Sequence, residues 1–308
     1  MNNPWIKSLL RLFLPVYQYE SDSRKIVYAG YSSIKKNYHV RLLLDGNNHH
    51  TFLGWRWYWK IPDLVKSGNI DIVISEISQY ALNHFQRYNG FILPEWAIMR
   101  INIDRPIGEI CKASVSDFSD VKRLIRKYNL TYEMLTDKES FKYFYDNIYL
   151  PYLIKRHGDE ALVEDLSDFW KTSLSPLLMV IKENGIIVAG SIVRKSGDLF
   201  YLVRLGLLNG NDEYRRHGAI GAMYYFSILE GQKMSCRCLD VGGTRPFLNN
   251  GLTKYKMGLG AEFLSEHSTW KEYLWFGMNE NSTFVKEFIR NNSFVYLNND
   301  RKLVIHGI

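Results

Sequence analysis

The stretch EYRRHGAIGAMYYFSI, residues 213–228, joins two different sequence patterns. Residues 199–208 before it alternate as a strand does, and residues 219–229 after it form an apolar run of helical length. The join contains Arg215, Arg216, His217, Gly218 and Gly221. A glycine turn that enters a helix presents backbone N–H groups and the positive end of the helix dipole to an anion. Neighbouring arginines add bidentate donors, so this stretch predicts a phosphate-binding turn.

The second half of the chain has a regular order of predicted elements. From residue 130 onward the order is β, α, α, β, β, β, α, β, α, β, β. The turn at 183–185, Glu-Asn-Gly, is typical of a hairpin. The predicted strands are 130–136, 177–183, 186–195, 199–208, 237–243, 261–267 and 271–278 with two short ones at the end, and the predicted helices are 141–158, 161–174, 219–229, 246–260 and 281–290. This order predicts an α+β fold with a mixed sheet.

The first half has a weaker pattern. Residues 4–16 predict a short amphipathic helix, which packs on its own domain or lies on a membrane. Strands are predicted at 25–31, 39–45 and 70–77. A helix with a basic outer face is predicted from Ser116 or Ser119 onward. We therefore predict an N-terminal region over 1–113, a connecting helix over 114–129 and a C-terminal domain over 130–308.

The predicted order, with its R-x-x-G turn before a helix, resembles the GNAT acyltransferase superfamily. In that family a turn of the form Q/R-x-x-G-x-G/A follows the fourth strand and holds the pyrophosphate of acyl-CoA. Arg215 and Gly218 match its first two positions, Ile220 stands at the third, and Gly221 comes one residue later. The resemblance implies a donor site formed by Arg215, Arg216, Gly218, Ala219, Gly221 and Ala222. It also implies that the fourth and fifth strands part and expose backbone donors to the acyl group.

A second segment, LDVGGTRPFLNNGLTKYKMGLG (239–260), resembles the Fem-type branch of this superfamily. These tandem-GNAT proteins attach amino acids to cell-wall peptides, and related acyltransferases serve polysaccharide biosynthesis. The pattern is carried by Asp240, Gly242, Pro246, Gly251, Leu252, Tyr255, Lys256 and Gly260. The resemblance covers about residues 92–265, with YLPYLIKRHG (149–158) similar to the acceptor-side segment of the polysaccharide-associated proteins. It implies an N- or O-acyltransferase preceded by a degenerate GNAT-like region.

Acyl transfer needs a base, a stabilised carbonyl oxygen and a proton for the leaving group. The Fem-type resemblance implies electrostatic stabilisation by Lys256, whose alternative role is that of a solvated helix lysine. Asp240 is predicted to be a base or acceptor anchor, or else a turn-stabilising carboxylate. His157 suits a base because its ordinary pKa is near 6.5; otherwise it is a helix-end histidine. Tyr255 is predicted to protonate the leaving group or to belong to the core.

Further residues suit an acceptor. Arg156 and Arg245 are predicted to hold an acceptor phosphate or carboxylate, or to form surface ion pairs. In the run GWRWYWKIPD (54–63), Trp57 alternates with two more tryptophans in a way that would stack on a sugar ring or a base if exposed. The alternative is that these indoles belong to the core.

Composition limits the partners and the compartment. The net charge of +7 favours a phosphate-bearing partner: a nucleotide cofactor such as acyl-CoA, an aminoacyl-tRNA, or an anionic membrane surface. The chain has three cysteines without metal or disulfide spacing and no apolar run long enough to span a membrane. These features predict a cytoplasmic protein, with the inner face of the cell membrane as the alternative location. No metal ligand set has suitable spacing, the adjacent His49 and His50 included.

Two functions are therefore expected from different classes. The first is an acyltransferase that moves an acyl or aminoacyl group to an amine or hydroxyl of a cell-envelope glycan or peptidoglycan-type precursor. The second is a non-catalytic module that binds glycan or nucleic acid on a degenerate GNAT scaffold. Ile220 favours the second, since a bulky side chain can fill the donor cleft.

Overall fold

A computed structural model of the chain describes residues 12–21, 24–44, 49–114, 117–158, 177–265 and 272–307. Two compact units are present. The first unit contains the residues up to Ala97, Arg245–Asn250 and the residues from Leu264 onward. The second unit contains Ile98–Thr244 and Gly251–Phe263.

The strands and helices are numbered along the chain. The strands are β1 (Phe13–Ser21), β2 (Arg24–Ala29), β3 (His49–Trp57), β4 (Ile72–Ser78), β5 (Gly90–Pro94), β6 (Ala97–Asn102), β7 (Leu130–Leu135), β8 (Leu177–Glu183), β9 (Ile186–Ser196), β10 (Leu199–Leu207), β11 (Cys238–Thr244), β12 (Glu262–Phe263), β13 (Glu272–Met278), β14 (Phe294–Leu297) and β15 (Leu303–His306). The α-helices are α1 (Ser33–Leu43), α2 (Asp63–Lys66), α3 (Leu82–Phe85), α4 (Ile107–Ala113), α5 (Asp117–Lys127), α6 (Lys138–Tyr143), α7 (Leu150–His157), α8 (Asp212–Arg216), α9 (Ala219–Lys233), α10 (Gly251–Gly258) and α11 (Thr283–Asn291). A π-helix (Phe144–Tyr149) precedes α7, and short 3₁₀ turns lie at Tyr58–Lys60, Gln79–Ala81 and Leu208–Gly210.

The first unit is built on a mixed sheet with the strand order β15-β14-β5-β13-β4-β2-β1-β3. Only the β2–β4 pair is parallel among its described ladders, and the chain between these two strands passes through α1, the edge strand β3 and α2. Val40 and Leu43 of α1 pack with Tyr28 and Ile74 of the sheet in one core cluster. Strand β3 forms one edge of this sheet and is largely exposed.

The second unit is built on a sheet with the strand order β12-β6-β11-β10-β9-β8-β7. Strands β7 to β10 are antiparallel neighbours, whereas β10 and β11 run parallel because α9 connects them. Helix α9 is buried on most sides, and its Ala222 and Met223 belong to the main core cluster together with Phe200 and Leu239.

The predicted α+β class, with mixed sheets flanked by helices, is confirmed. The hairpins β8–β9 and β9–β10 lie where the turn signals predicted them. Helix α10 ends at Gly258, as the sequence indicated. The predicted helix at 161–174 lies outside the described residues.

Two predictions for the first half were wrong. Residues 39–45 were predicted to be a strand, but Ser33–Leu43 form α1, whose N-cap Ser32 accepts a hydrogen bond from the Lys35 N–H. Its buried residues, His39, Val40 and Leu43, follow helical spacing, which the dense apolar run at 40–44 concealed. The predicted helix over 4–16 is contradicted from residue 13 on, where β1 begins, and residues 4–11 lie outside the described part.

The two units divide the chain differently from the three predicted segments. Strand β13 pairs with both β4 and β5, so the residues that follow Leu264 return to the sheet of the first unit. The predicted connecting helix is α5, and its Val121 lies in the core of the second unit. Pairing between strands distant in sequence leaves no local signal, so the sequence order suggested a simpler division.

Candidate functional site

Strands β10 and β11 pair over only three residues and then part. The parallel register joins Leu199 to Cys238, Phe200 to Leu239 and Tyr201 to Asp240. Beyond Tyr201, β10 continues to Leu207 and β11 continues to Thr244 without further pairing between them. The facing backbone groups of these two stretches lie outside the ladder, and an extended ligand could pair with them.

A left-handed residue and a shift in register occur in β10 beyond the point of parting. Arg204 has φ of +50°, and the pairing of β10 with β9 shifts between Val203 and Leu205. A β-bulge bends its strand, and here it bends β10 in the part that no longer pairs with β11. The bulge therefore accounts for the parting of two strands that begin as a regular parallel pair.

The Arg-Arg-His-Gly stretch that follows β10 is more ordered than a simple turn. Arg215 and Arg216 close the short helix α8, whose N-cap Asn211 accepts a hydrogen bond from the Glu213 N–H. Both arginines are exposed. The Arg215 Nε lies 3.3 Å from Asp212 Oδ1, so this guanidinium has an exposed carboxylate as its present partner.

The two glycines of this stretch are explained by helix packing. Gly218 has φ of +92°, and a Cβ there would lie 2.8 Å from the Leu124 Cβ. A Cβ on Gly221 would lie 2.5 Å from Val121 Cγ2. Both neighbours belong to α5, which packs on α9. The sequence predicted these glycines to form a phosphate-binding turn, and the structure shows that they admit α5. Ala219 and Ala222, which were also predicted to bind the donor, are fully buried.

Lys256 is buried, with 4% of its surface exposed. Its ammonium donates hydrogen bonds to the carbonyl oxygens of Gly243 at 2.9 Å and Gly242 at 3.2 Å. Desolvation lowers the pKa of Lys256 to about 8, and the nearby negative charge of Asp240 opposes this effect. The alternative of a solvated helix lysine is therefore wrong, because Lys256 is buried. Its hydrogen bonds hold the part of β11 that no longer pairs with β10.

Asp240 is buried at the last register pair of β10 and β11. One carboxylate oxygen accepts a hydrogen bond from Arg100 Nε at 3.0 Å, and the other accepts one from the Gly242 N–H at 2.9 Å. Asp240 therefore holds the turn at Gly242, which has φ of +72°, and it forms an ion pair with an arginine of β6.

Tyr255 and the residues of α7 complete the predicted catalytic set. Tyr255 packs against the core of the second unit, with its ring edge-on to Tyr224 at 5.8 Å. Arg156 is exposed and lies 5.7 Å from the centre of the Tyr152 ring. His157 is the last residue of α7, and its side chain lies outside what is described. The structure thus groups Asp240 and Lys256 at β11, whereas no described contact joins Arg156 to them.

Two predicted acceptor residues belong to the first unit. The guanidinium of Arg245 lies 4.4 Å from the ring centres of both Tyr38 and Trp96. Trp57 is exposed, so the interpretation as a core indole is wrong for this residue. Its ring is stacked on that of Trp59 at 4.8 Å.

One cluster beside the predicted phosphate-binding turn was not predicted from the sequence. The His217 Nδ1 lies 3.0 and 3.1 Å from the two carboxylate oxygens of Glu183, and the imidazole stacks on Tyr128 at 3.9 Å. These contacts join α8, the end of β8 and the residue after α5. His217 was visible in the sequence, but its partners lie far away along the chain, so no local pattern indicated them.

Two features are absent from the described part of the chain. No group of three or more histidine, cysteine or acidic side chains in it is placed to hold a metal ion. No helix in the same part of the chain is long and apolar enough to cross a membrane.

Several solved structures are similar to this chain in the arrangement of their elements. L-PGS from Bacillus licheniformis has 11% identity and a TM-score of 0.44 over 88% of this chain and 83% of its own. FemX has 13% identity and a TM-score of 0.47 over 85% and 84% of the two chains. A GCN5-related N-acetyltransferase from Sphaerobacter thermophilus has 11% identity and a TM-score of 0.40 over 86% and 76%.

At these identities and TM-scores the likeness concerns the order of helices and strands. No protein-family model matches the chain, and no curated protein matches it.

Proposed function

We propose that this protein is an acyltransferase that moves an acyl or aminoacyl group to an amine or hydroxyl of a cell-envelope glycan or peptidoglycan-type precursor. The donor carries phosphate and is either acyl-CoA or aminoacyl-tRNA. The observation that supports this function best is the parting of β10 and β11 after the Tyr201–Asp240 pair. Backbone groups freed from a ladder can hold an acyl carbonyl where negative charge develops.

The surroundings of the parted strands suit charge stabilisation. The Lys256 ammonium is held at two carbonyls of β11 in a buried position, where an electrostatic interaction is stronger than in water. Asp240 lies where the strands part and serves as base or acceptor anchor in this proposal. Tyr255 and His157 complete the proton transfers, and Arg156 contacts the acceptor.

The donor is proposed to bind at the start of α9. The first N–H groups of a helix lack partners within that helix, and the helix dipole favours an anion there. Arg215 and Arg216 are exposed beside this end, and Arg215 would exchange its partner Asp212 for a phosphate. Phosphate carries more charge than a carboxylate and accepts bidentate hydrogen bonds from arginine.

Thermal unfolding with CoA, acetyl-CoA and mixed charged tRNA tests the donor. A ligand at 100 times its dissociation constant adds about 2.7 kcal/mol of stability. We expect a rise in Tm with either the CoA compounds or the tRNA, and a smaller rise for Arg215→Ala. The matched control is Arg123→Ala, because Arg123 is also exposed and also pairs with an aspartate three residues earlier. An unchanged Tm with all three ligands would count against the proposal.

The second candidate is a non-catalytic binding module, and the packing around the predicted donor turn favours it. Ile220 packs against the core of the second unit, and Gly218 and Gly221 lie against α5. If the donor turn is closed in this way, the protein would bind a glycan or nucleic acid at another place without turnover. Acyl transfer that Arg215→Ala weakens through a higher donor KM and that Arg123→Ala leaves unchanged would rule this candidate out.

A further inference from the structure

One edge of the first unit carries a concentration of exposed aromatic side chains. The twelve large hydrophobic side chains that are exposed in the described part of the chain include five at this edge. These five are Tyr31, Phe52, Trp55, Trp57 and Trp59, with 42% to 59% of each residue exposed. We call them the aromatic face. Isolated exposed apolar residues are ordinary, but a contiguous group marks an interaction surface.

A β-bulge places two of these side chains on one side of the sheet. Tyr17 of β1 pairs with Phe52, while the preceding Val16 pairs with Gly54, so β3 has one extra residue. Without the bulge, Phe52 and Trp55 would point to opposite sides, because their separation of three residues is odd. With it, Phe52 lies beside Tyr17, and Trp55 follows on the same side. Gly54, with φ of +90°, supplies the backbone geometry that the bulge requires.

Ring contacts join the side chains of the aromatic face into two neighbouring groups along β3. Trp55 lies 6.0 Å from Tyr31 and 6.5 Å from Phe52 between ring centres. Trp57 lies 3.5 Å from Phe13 and 4.8 Å from Trp59. Two rings thus pack against the Trp57 ring, and 42% of the residue remains exposed.

Basic side chains lie within and beside the aromatic face. Residues 49–60, HHTFLGWRWYWK, contain no aspartate or glutamate and include the exposed Arg56 and Lys60. Lys36 of α1 lies 4.0 Å from the centre of the Tyr17 ring, on the side of the sheet that carries Phe52. Acidic residues lie at the border of this face: Asp63 is 3.6 Å from Lys60, and Glu20 of β1 pairs with His49. A surface of indoles with neighbouring cations is complementary to an apolar layer that has anionic groups at its border.

We propose that the aromatic face binds peripherally to the surface of an anionic lipid bilayer. Tryptophan and tyrosine favour the boundary between headgroups and acyl chains, because their rings are apolar and their N–H and O–H groups are polar. Lys36, whose ammonium lies over the Tyr17 ring, and the exposed Lys60, which follows Trp59, interact with anionic headgroups. The inference rests on the first unit alone and does not depend on the proposed acyl transfer.

Vesicle co-sedimentation of the full chain tests this binding. The probes are phosphatidylcholine vesicles with and without phosphatidylserine, and tryptophan fluorescence quenching by brominated lipid reports insertion of the indoles. We expect binding to the phosphatidylserine vesicles that weakens with salt. The double variant Trp55→Ser/Trp57→Ser should lower the partition coefficient at least tenfold, because binding scales with buried apolar area. Lys60→Ser should lower it about fivefold, the effect of one cation at an anionic surface.

Tyr80→Ser is the matched control, because Tyr80 is 89% exposed and has no recorded contact with the aromatic face. It should bind vesicles as the unchanged chain does, and circular dichroism should show that every variant is folded. Equal partitioning of the double variant and the unchanged chain would overturn the proposal. So would quenching of the same indoles by soluble oligosaccharides without vesicle binding, or a dimer in sedimentation that the double variant abolishes.

Discussion

The Lys256 ammonium donates a 2.9 Å hydrogen bond to the Gly243 carbonyl oxygen in a position that water barely reaches. Burial lowers the pKa of Lys256 from 10.5 to about 8. The unfolded chain therefore holds a proton on this lysine between about pH 8 and 10.5 that the folded chain has lost. Stability consequently rises with pH through this window.

Comparison of the unchanged chain with Lys256→Met should show this effect. Relative to the variant, the free energy of unfolding of the unchanged chain should rise by about 2 kcal/mol between about pH 7.5 and pH 10. Urea unfolding at several pH values measures it. Lys254→Met, on the exposed side of the same helix, is the control and should give no such rise. Parallel curves for Lys256→Met and the unchanged chain would show that the pKa of Lys256 is not lowered.

Kinetics separate a role for Lys256 in the transition state from one in binding. If its charge stabilises the developing oxyanion, Lys256→Ala lowers kcat and kcat/KM together, on the order of 10²-fold. The pH profile of kcat should then lose an inflection near 8, since the pKa of Lys256 is lowered to about 8. A change in the acceptor KM alone would instead make Lys256 an acceptor anchor, and Lys254→Ala should change neither constant.

Arg215 should affect the donor and not the acceptor. Because its guanidinium is exposed and pairs only at the surface with Asp212, we expect Arg215→Ala to leave stability within about 0.5 kcal/mol. The donor KM should rise severalfold with kcat nearly unchanged, as for an interaction made equally in ground and transition states. Arg123→Ala should leave both constants unchanged. A rise in the acceptor KM alone would contradict the assignment.

The packing role of Gly221 is testable by a double-mutant cycle. Gly221→Ala places a methyl group 2.5 Å from Val121 Cγ2, so we expect a loss of about 1–3 kcal/mol in unfolding free energy. Val121→Ala makes room for that methyl group, so the double variant should be more stable than the sum of the single changes predicts. Strict additivity, together with a raised donor KM, would favour a role of Gly221 in the predicted phosphate-binding turn.

His39 predicts a loss of stability at acid pH. This histidine is fully buried, its Nδ1 donates to the Lys35 carbonyl at 2.7 Å, and its Nε2 has no hydrogen-bond partner in the described structure. Burial lowers the pKa of His39 from 6.5 to about 3. Below about pH 6.5 the unfolded chain binds a proton at His39 and the folded chain does not. The free energy of unfolding therefore decreases as the pH is lowered. From about pH 7.5 to pH 5.5 the chain should lose about 1 kcal/mol more than His39→Leu in urea unfolding.

Local patterns predicted the second half of the fold better than the first. Strands β8, β9 and β10 follow one another through short turns, so alternation and the Glu183-Asn184-Gly185 turn were sufficient to place them. Helix α1 was mistaken for a strand because Val40, Leu42, Leu43 and Leu44 form a run whose periodicity is ambiguous. The decisive signal was its N-cap, Ser32, which lies outside that run.

The candidate site was predicted at the level of residue types and not of their surroundings. The Fem-type pattern singled out Lys256 and Asp240, and the structure brings both to β11. Their burial and their partners depend on contacts between distant segments, such as Arg100 with Asp240, which no local spacing encodes. The same limit applies to Gly218 and Gly221, whose neighbours on α5 lie almost one hundred residues earlier.

The position of β13 between β4 and β5 has a consequence for synthesis of the chain on the ribosome. Strands β4 and β5 emerge early, but the strand that joins them is made only after the whole second unit. Until then two inner edges of the sheet remain unpaired, and unpaired edges promote aggregation. The second unit can therefore fold before the first unit, whose sheet is completed only when β13 is made. A nascent chain that stalls before residue 272 would expose β4 and β5 to chaperones and proteases.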